Sequence, residues 1–216
     1  MNILIAVATK EEVKLLMAEL ESLDNGYVVN EHNVHVLVTG VGMVATTYHL
    51  TTIFSSDTSY DLILNIGIAG SFTNDLDLGT VTQVTTDQIA DFGAEDGKNF
   101  ISAADLGFID EEDAVLHNVS DFGNEVIDSL VQVDGMTVNS VHGDEDSIAK
   151  VKASSNVQVE TMEGAAFFYV CKKEMQACAQ IRSISNYVEK RDKGKWELEL
   201  AFKNLATVTL DILKAL

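Results

Sequence analysis

The sequence has no proline and only two cysteines, Cys171 and Cys178. The missing proline excludes no function. The two cysteines lie in no metal-ligating spacing and fit a reducing compartment, so a cytoplasmic location is expected. No apolar run approaches the roughly 20 residues that a bilayer span needs, and no membrane partner is expected. The opening MNILIAVATKEE turns acidic after its apolar stretch and lacks a basic n-region. It reads as a buried first strand rather than a signal peptide. Bases are scarce: 14 Lys and Arg stand against 34 Asp and Glu, a formal charge of −20, which argues against nucleic acid as a partner. Neither the P-loop pattern nor G-x-G-x-x-G occurs, so an NAD-dependent enzyme is not expected. The five histidines are scattered, with His32 and His35 reading as surface residues of a hairpin. No metal and no organic cofactor is suggested.

What is present is a chain of 216 residues, 46% hydrophobic, enough for one substantial core. Short apolar strands are expected at Asn2–Ala8, Leu62–Ile66, Val81–Thr85, Met136–Val141 and Ala179–Ile184. Tyr27–Val29 and Val34–Val38 alternate around Asn30–Asn33 as a hairpin. Helical patterns fall at Glu11–Glu21, Met43–Phe54, Phe122–Val131, Ser147–Ala153, Glu160–Glu174 and Trp196–Leu216. Asp91–Asp96 reads as an acidic loop. Strands and helices interleave from end to end, which predicts one α/β domain over residues 1–216.

Several groups could carry chemistry. Glu11 and Glu12 follow the first strand, where open α/β sheets place their sites, although acids also suit the first turn of any helix. Gly67-Ile68-Ala69-Gly70-Ser71 and Gly40-Val41-Gly42 each follow a strand and could bring backbone N–H groups to a ligand, or be plain tight turns. Glu160-Thr161-Met162-Glu163 opens a helix whose next residues, Gly164-Ala165-Ala166, are small enough for close backbone approach. An acid aimed into a pocket there would suit the vicinal hydroxyls of a ribose; otherwise it complements the helix dipole. Arg182, on an apolar strand, needs a partner if buried, and Glu160 or Glu163 could supply one. Asn186 ends that strand with both a donor and an acceptor. Seven of the 14 bases lie between Lys172 and Lys195, as a solvated surface or a local anion site.

Ala8–Val13, Thr39–Gly42, Asn65–Gly70, Val159–Glu163 and Arg182–Asn186, taken together and in this order, resemble the nucleoside phosphorylase/hydrolase superfamily. The comparison with methylthioadenosine/S-adenosylhomocysteine nucleosidases covers nearly the whole chain. The resemblance implies a central twisted mixed β-sheet flanked by helices. It implies that Glu12 activates the attacking water, Glu163 holds the ribose hydroxyls and Met162 packs on the sugar. Asn186 then binds the N7 edge of the purine and helps the base leave, with Ala69, Gly70, Thr161 and Ser185 also lining the nucleoside site. Adenine-specific members carry an aspartate where this chain has Asn186. A carboxylate would be repelled by O6 of a 6-oxopurine, whereas an amide can donate to both O6 and N7.

Asp91–Gly97, Glu163–Phe168 and Ser185–Glu189 with Trp196 are similar to the futalosine hydrolases within that superfamily. Those enzymes release hypoxanthine and leave dehypoxanthine futalosine, on a route to menaquinone. The benzoate of such a substrate calls for a cation, with the cluster Lys190, Arg191 and Lys193 as the candidate. The resemblance also implies a homo-oligomer, a dimer or larger. A purine nucleoside phosphorylase, an adenine-specific nucleosidase and a non-catalytic nucleoside-binding protein are the other readings. Phosphorolysis is disfavoured because Arg182 and Arg191 are the only arginines.

Overall fold

The computed structural model describes residues 1–24, 26–118 and 123–216. Twelve strands and six α-helices follow one another along these residues. The first half runs β1 (Asn2–Val7), α1 (Lys10–Glu19), β2 (Glu21–Leu23), β3 (Gly26–Val29), β4 (His32–Val38), α2 (Met43–Phe54), β5 (Leu62–Ser71) and β6 (Val81–Ile89). It continues with β7 (Gly93–Asp96), β8 (Asn99–Ser102), β9 (Leu116–His117), α3 (Glu125–Ser129) and β10 (Val131–Thr137). The remainder is α4 (Glu145–Ser154), β11 (Val159–Thr161), α5 (Gly164–Lys173), β12 (Cys178–Tyr187) and α6 (Leu198–Lys214).

Ten strands form one mixed sheet along the path β11-β10-β6-β12-β5-β1-β4-β3-β2, with β9 on β6. β1 and β5 are apolar at nearly every position because both of their faces are covered. Ile3, Ile5 and Val7 of β1 join Leu62, Leu64 and Ile66 of β5 beneath α1 and α6, with Val13, Leu16, Leu205 and Ile212. Leu4, Ala6 and Ile63 face the other way, against Leu50 of α2 and Phe167 and Phe168 of α5. Each strand thus divides its side chains between two cores with the period of the pleat.

The sheet closes on itself at one end. β11 pairs parallel with β10 and also antiparallel with the end of β5, setting Val159 opposite Ser71 and Glu160 opposite Gly70. β12 pairs parallel with β5 and antiparallel with β6. Its register shifts so that Ile184 faces Ala69 and Asn186 faces Gly70, leaving Ser185 as the extra residue of a bulge. Glu160, Gly70 and Asn186 therefore lie in one row across three adjacent strands.

Several expected elements are corrected. Gly67–Ser71 is not a turn but the second half of β5. Glycine is needed there for lateral space: a Cβ on Gly67 would stand 2.5 Å from Arg182 Nη1 and 2.7 Å from Glu12 Oε1. Glu160 and Thr161 belong to a strand rather than a helix, and α5 begins only at Gly164 with Glu163 as its N-cap. The acidic Asp91–Asp96 segment enters a small hairpin, β7 with β8. The strand expected at Met136–Val141 is β10, which starts earlier, and the helix expected over Phe122–Val131 is confined to Glu125–Ser129, its start at residue 122 lying outside the described residues.

Candidate active site

Glu12 reaches its position through the capping of α1. Thr9 is the N-cap and Glu12 is three residues on, so Glu12 Oε2 accepts from the Thr9 N–H at 2.8 Å and from its hydroxyl at 3.2 Å. Oε1 accepts from the Ile68 N–H at 3.3 Å, which ties the carboxylate to β5. The side chain is buried. Burial raises its pKa above 4.5, with the charge of Glu163 acting the same way, while Arg182 and the two backbone N–H groups oppose.

Arg182 is buried on β12 beside it, but its direct partners are neither Glu160 nor Glu163. Nη2 donates to Asn65 Oδ1, and Nε donates to Gln180 Oε1 at 3.1 Å. Two neutral amides fix the guanidinium, and three carboxylates, Glu163, Glu12 and Asp87, act on it through space. Burial lowers its pKa against their pull.

Glu163, also buried, accepts from the Gly42 N–H at 2.9 Å through Oε1. Gly40-Val41-Gly42 is the turn between β4 and α2, and the backbone N–H expected to meet a ligand is here held by an acid. Met162 is half-buried between Thr161 and Glu163. The Thr161 hydroxyl is turned inward, 3.2 Å from that of Thr137 and accepting from the Gly164 N–H at 3.2 Å.

Asn186 is oriented by its neighbour. Ser185 Oγ donates to Asn186 Oδ1 at 2.8 Å and lies 3.3 Å from the Ala69 carbonyl. The amide nitrogen donates to the Tyr187 carbonyl at 3.1 Å. A Cβ on Gly70 would lie 3.2 Å from that nitrogen, so the bare backbone makes room for the amide. Asn186 lines a cavity of about 270 Å³ together with Lys190, Arg191, Lys195, Trp196 and His142. Arg191 stacks on Trp196 with 5.6 Å from the guanidinium carbon to the ring centre. The structure thus gathers Asn186, Lys190 and Arg191 at one cavity, and Glu12 and Arg182 against Gly67, three residues earlier on the strand that carries Gly70.

Two features were not foreseen from the sequence. His142 bonds Glu160 Oε2 through Nδ1, and its backbone N–H reaches Oε1 of the same carboxylate at 3.0 Å. The pair is separated by 18 residues and carries no local signal. The second is a buried polar relay. Asp87 accepts from Gln180 Nε2 at 3.1 Å and from the Thr137 hydroxyl at 2.8 Å, and Thr137 in turn accepts from the Ala165 N–H at 2.8 Å. Burial raises the pKa of Asp87 to about 6, against the bonds from Gln180 and Thr137 and the charge of Arg182. The small residue at the start of α5 has its reason here: a Cβ on Gly164 would fall 2.1 Å from Asp87 Oδ2. Among the described residues no cluster of His, Cys, Asp and Glu could hold a metal ion, and no helix is long and apolar enough to cross a membrane.

The fold is shared with solved structures over the whole chain. Futalosine hydrolase of Helicobacter pylori strain 26695 superposes with a TM-score of 0.82 at 19% identity, covering 100% of this chain and 98% of the other. The methylthioadenosine/S-adenosylhomocysteine nucleosidase of Streptococcus pneumoniae, in complex with 8-aminoadenine, gives 0.82 at 20% identity, with 100% of both chains covered. That of Neisseria meningitidis, in complex with methylthio-immucillin-A, gives 0.80 at 18% identity, covering 100% and 99%. Residues 2–216 match the family described as the phosphorylase superfamily, and the chain belongs to it.

Proposed function

We propose that this protein hydrolyses the N-glycosidic bond of a 6-oxopurine nucleoside, with futalosine as substrate and hypoxanthine and dehypoxanthine futalosine as products. The observation that carries the reading is the orientation of Asn186. With its oxygen accepting from Ser185 and one N–H given to the Tyr187 carbonyl, the amide keeps one N–H to present, the polarity that the O6/N7 edge of a 6-oxopurine requires. A buried mismatch at this point separates substrates by orders of magnitude.

As the glycosidic bond stretches, the sugar takes on positive charge and Glu163 accepts hydrogen bonds from its hydroxyls, exchanging the Gly42 N–H for them. Met162, with Ala69, Gly70, Thr161 and Ser185 as backbone and wall, shapes the nucleoside site. Glu12 takes a proton from the water that attacks the anomeric carbon, which is general-base catalysis. Its burial favours a proton-accepting role near neutral pH over that of a fully solvated acid. Lys190 and Arg191, at the cavity that Asn186 lines, receive the carboxylate of the 5′ substituent.

Hydrolysis is favoured over phosphorolysis because Arg182 is already held by Asn65 and Gln180, and Arg191, the one other arginine in the sequence, is assigned to the 5′ carboxylate. The enzyme acts in the cytoplasm, with Cys171 and Cys178 as free buried thiols. It works as a homo-oligomer, a reading supported by the exposed apolar Val41, Val44 and Tyr48 around the start of α2. The test is release of free base from futalosine, inosine and methylthioadenosine, without and with phosphate. Hypoxanthine from futalosine in the absence of phosphate supports the proposal. Adenine release would overturn the role of Asn186, release only with phosphate would make the protein a phosphorylase, and binding without release would leave a nucleoside-binding protein.

A further inference from the structure

A nucleosidase needs more at the base than Asn186 can provide. An amide donates a hydrogen bond but does not give up a proton at ordinary pH, and a purine leaves far more readily once N7 is protonated. A group able to deliver a proton beside Asn186 would supply what the amide lacks, and His142 shares its cavity.

His142 lines the same cavity as Asn186. Its position follows from the row of residues across the sheet end: Glu160 on β11 and Asn186 on β12 both lie opposite Gly70 of β5. Glu160 is buried and holds His142 twice, at the backbone N–H and at Nδ1. Phe72 meets the imidazole edge-on, with ring centres 6.0 Å apart. With Nδ1 engaged by the carboxylate, Nε2 is left without a hydrogen-bond partner among the described residues. Of the other ionisable groups at this cavity, Lys195 is paired with Glu189 at 2.7 Å, Asp192 accepts from the Gly194 N–H at 3.0 Å, and Lys190 and Arg191 are the cations assigned above to the 5′ carboxylate.

The geometry points to His142 as the general acid that protonates the leaving purine, with Glu160 as its positioning residue. This rests on the nucleosidase reading above. In the step, the bond between the anomeric carbon and N9 breaks and its electron pair passes to the base. The proton on His142 Nε2 goes to N7, while Nδ1–H stays on Glu160. Water contributes hydroxide to the anomeric carbon and its proton to Glu12, and that proton returns through solvent to reset His142. The products are the neutral base and the free sugar.

The test compares two leaving groups in the full-length enzyme. One is a purine nucleoside that the wild type cleaves; the other is p-nitrophenyl β-D-ribofuranoside, whose nitrophenolate departs without a proton. His142→Gln lowers kcat on the nucleoside by about 10²-fold or more and leaves the nitrophenyl riboside nearly unchanged. Glu160→Gln follows the same pattern with a smaller loss. His142→Asn, whose amide is nearer to Nδ1 in reach, gives the same split if the longer side chain disturbs the turn. Equal losses on both substrates would reduce His142 to a structural role, and an unchanged rate on the nucleoside would remove it from the reaction; either overturns the proposal. If the wild type releases adenine instead of hypoxanthine, the reading of Asn186 falls, yet the same comparison with methylthioadenosine still decides His142. A wild type inactive on every riboside would overturn both.

Discussion

Glu163, the N-cap of α5, accepts a 2.9 Å hydrogen bond from the backbone N–H of Gly42, the N-cap of α2, across 121 residues of chain. Two helix starts are thereby joined through one carboxylate. Gly42 has φ 93° and ψ 163°, a region open to little but glycine. A Cβ there would meet nothing within 4 Å, so the cost of replacing it is conformational rather than steric. Gly42→Ala is expected to lose about 1–3 kcal/mol in chemical denaturation. An unchanged midpoint would show that the turn relaxes freely. Glu163→Ala should leave the fold intact while lowering kcat/KM by at least about tenfold, since its proposed role is to grip hydroxyls in the transition state.

Glu12→Gln should lower kcat by about 10²–10⁴-fold while hypoxanthine still binds, because the amide keeps the shape and loses the base. In the wild type the base must be ionised, and burial holds its pKa above 4.5. The acid limb of the kcat/KM profile is therefore expected above pH 4.5. A limb at or below that value would separate Glu12 from the rate.

Asp87 ties pH to stability rather than to rate. Its carboxyl is raised from 3.8 to about 6, so the folded state binds the proton more tightly than the unfolded chain does. The sign follows: the ionised form is penalised on folding. The penalty is absent below pH 4, grows between pH 4 and 6, and is complete above. At about 1.4 kcal/mol per pH unit it reaches roughly 3 kcal/mol. Asp87→Asn misplaces a donor against Gln180, a fixed offset, but cannot titrate. The stability difference between wild type and variant should thus shift toward the variant as pH rises through that window. A difference flat with pH would show that Asp87 does not titrate there.

Gly67→Ala places a methyl between Arg182 and Glu12. Both groups end in flexible side chains and will move aside, at about 1–3 kcal/mol of stability. The larger effect is expected in kcat, at least about tenfold, because Glu12 leaves its position by a fraction of an ångström or more. Steady-state kinetics beside a melting curve would check the split, and a stability loss with unchanged kcat would contradict it.

The long regular elements were legible in the residues. Met43–Phe54 is helical as its pattern reads, and the apolar runs of β1 and β5 announce strands buried on both faces. Gly67–Ser71 misleads because its composition is that of a turn, while its glycines serve the side chains of Arg182, Glu12 and Asn186 that crowd against the strand. Val159–Thr161 is too short to show a period, so its acid reads as part of the helix that follows. Glu12, Glu163 and Asn186 stand out in the sequence as candidates because each belongs to a motif with an order along the chain. His142 and Asp87 were not, since their meaning lies in partners 18 and 93 residues away, Glu160 and Gln180.

β12 is the twelfth strand in chain order, yet it lies in the middle of the sheet, between β5 and β6. A nascent chain must therefore hold these two strands apart, each with an unsatisfied edge, until residues 178–187 have been synthesised. Such edges invite pairing with other chains. The same strand that carries Arg182 and Asn186 is the one whose late arrival leaves two edges of the growing polypeptide open to self-association, so the demands of translation and of the proposed reaction converge on a single segment.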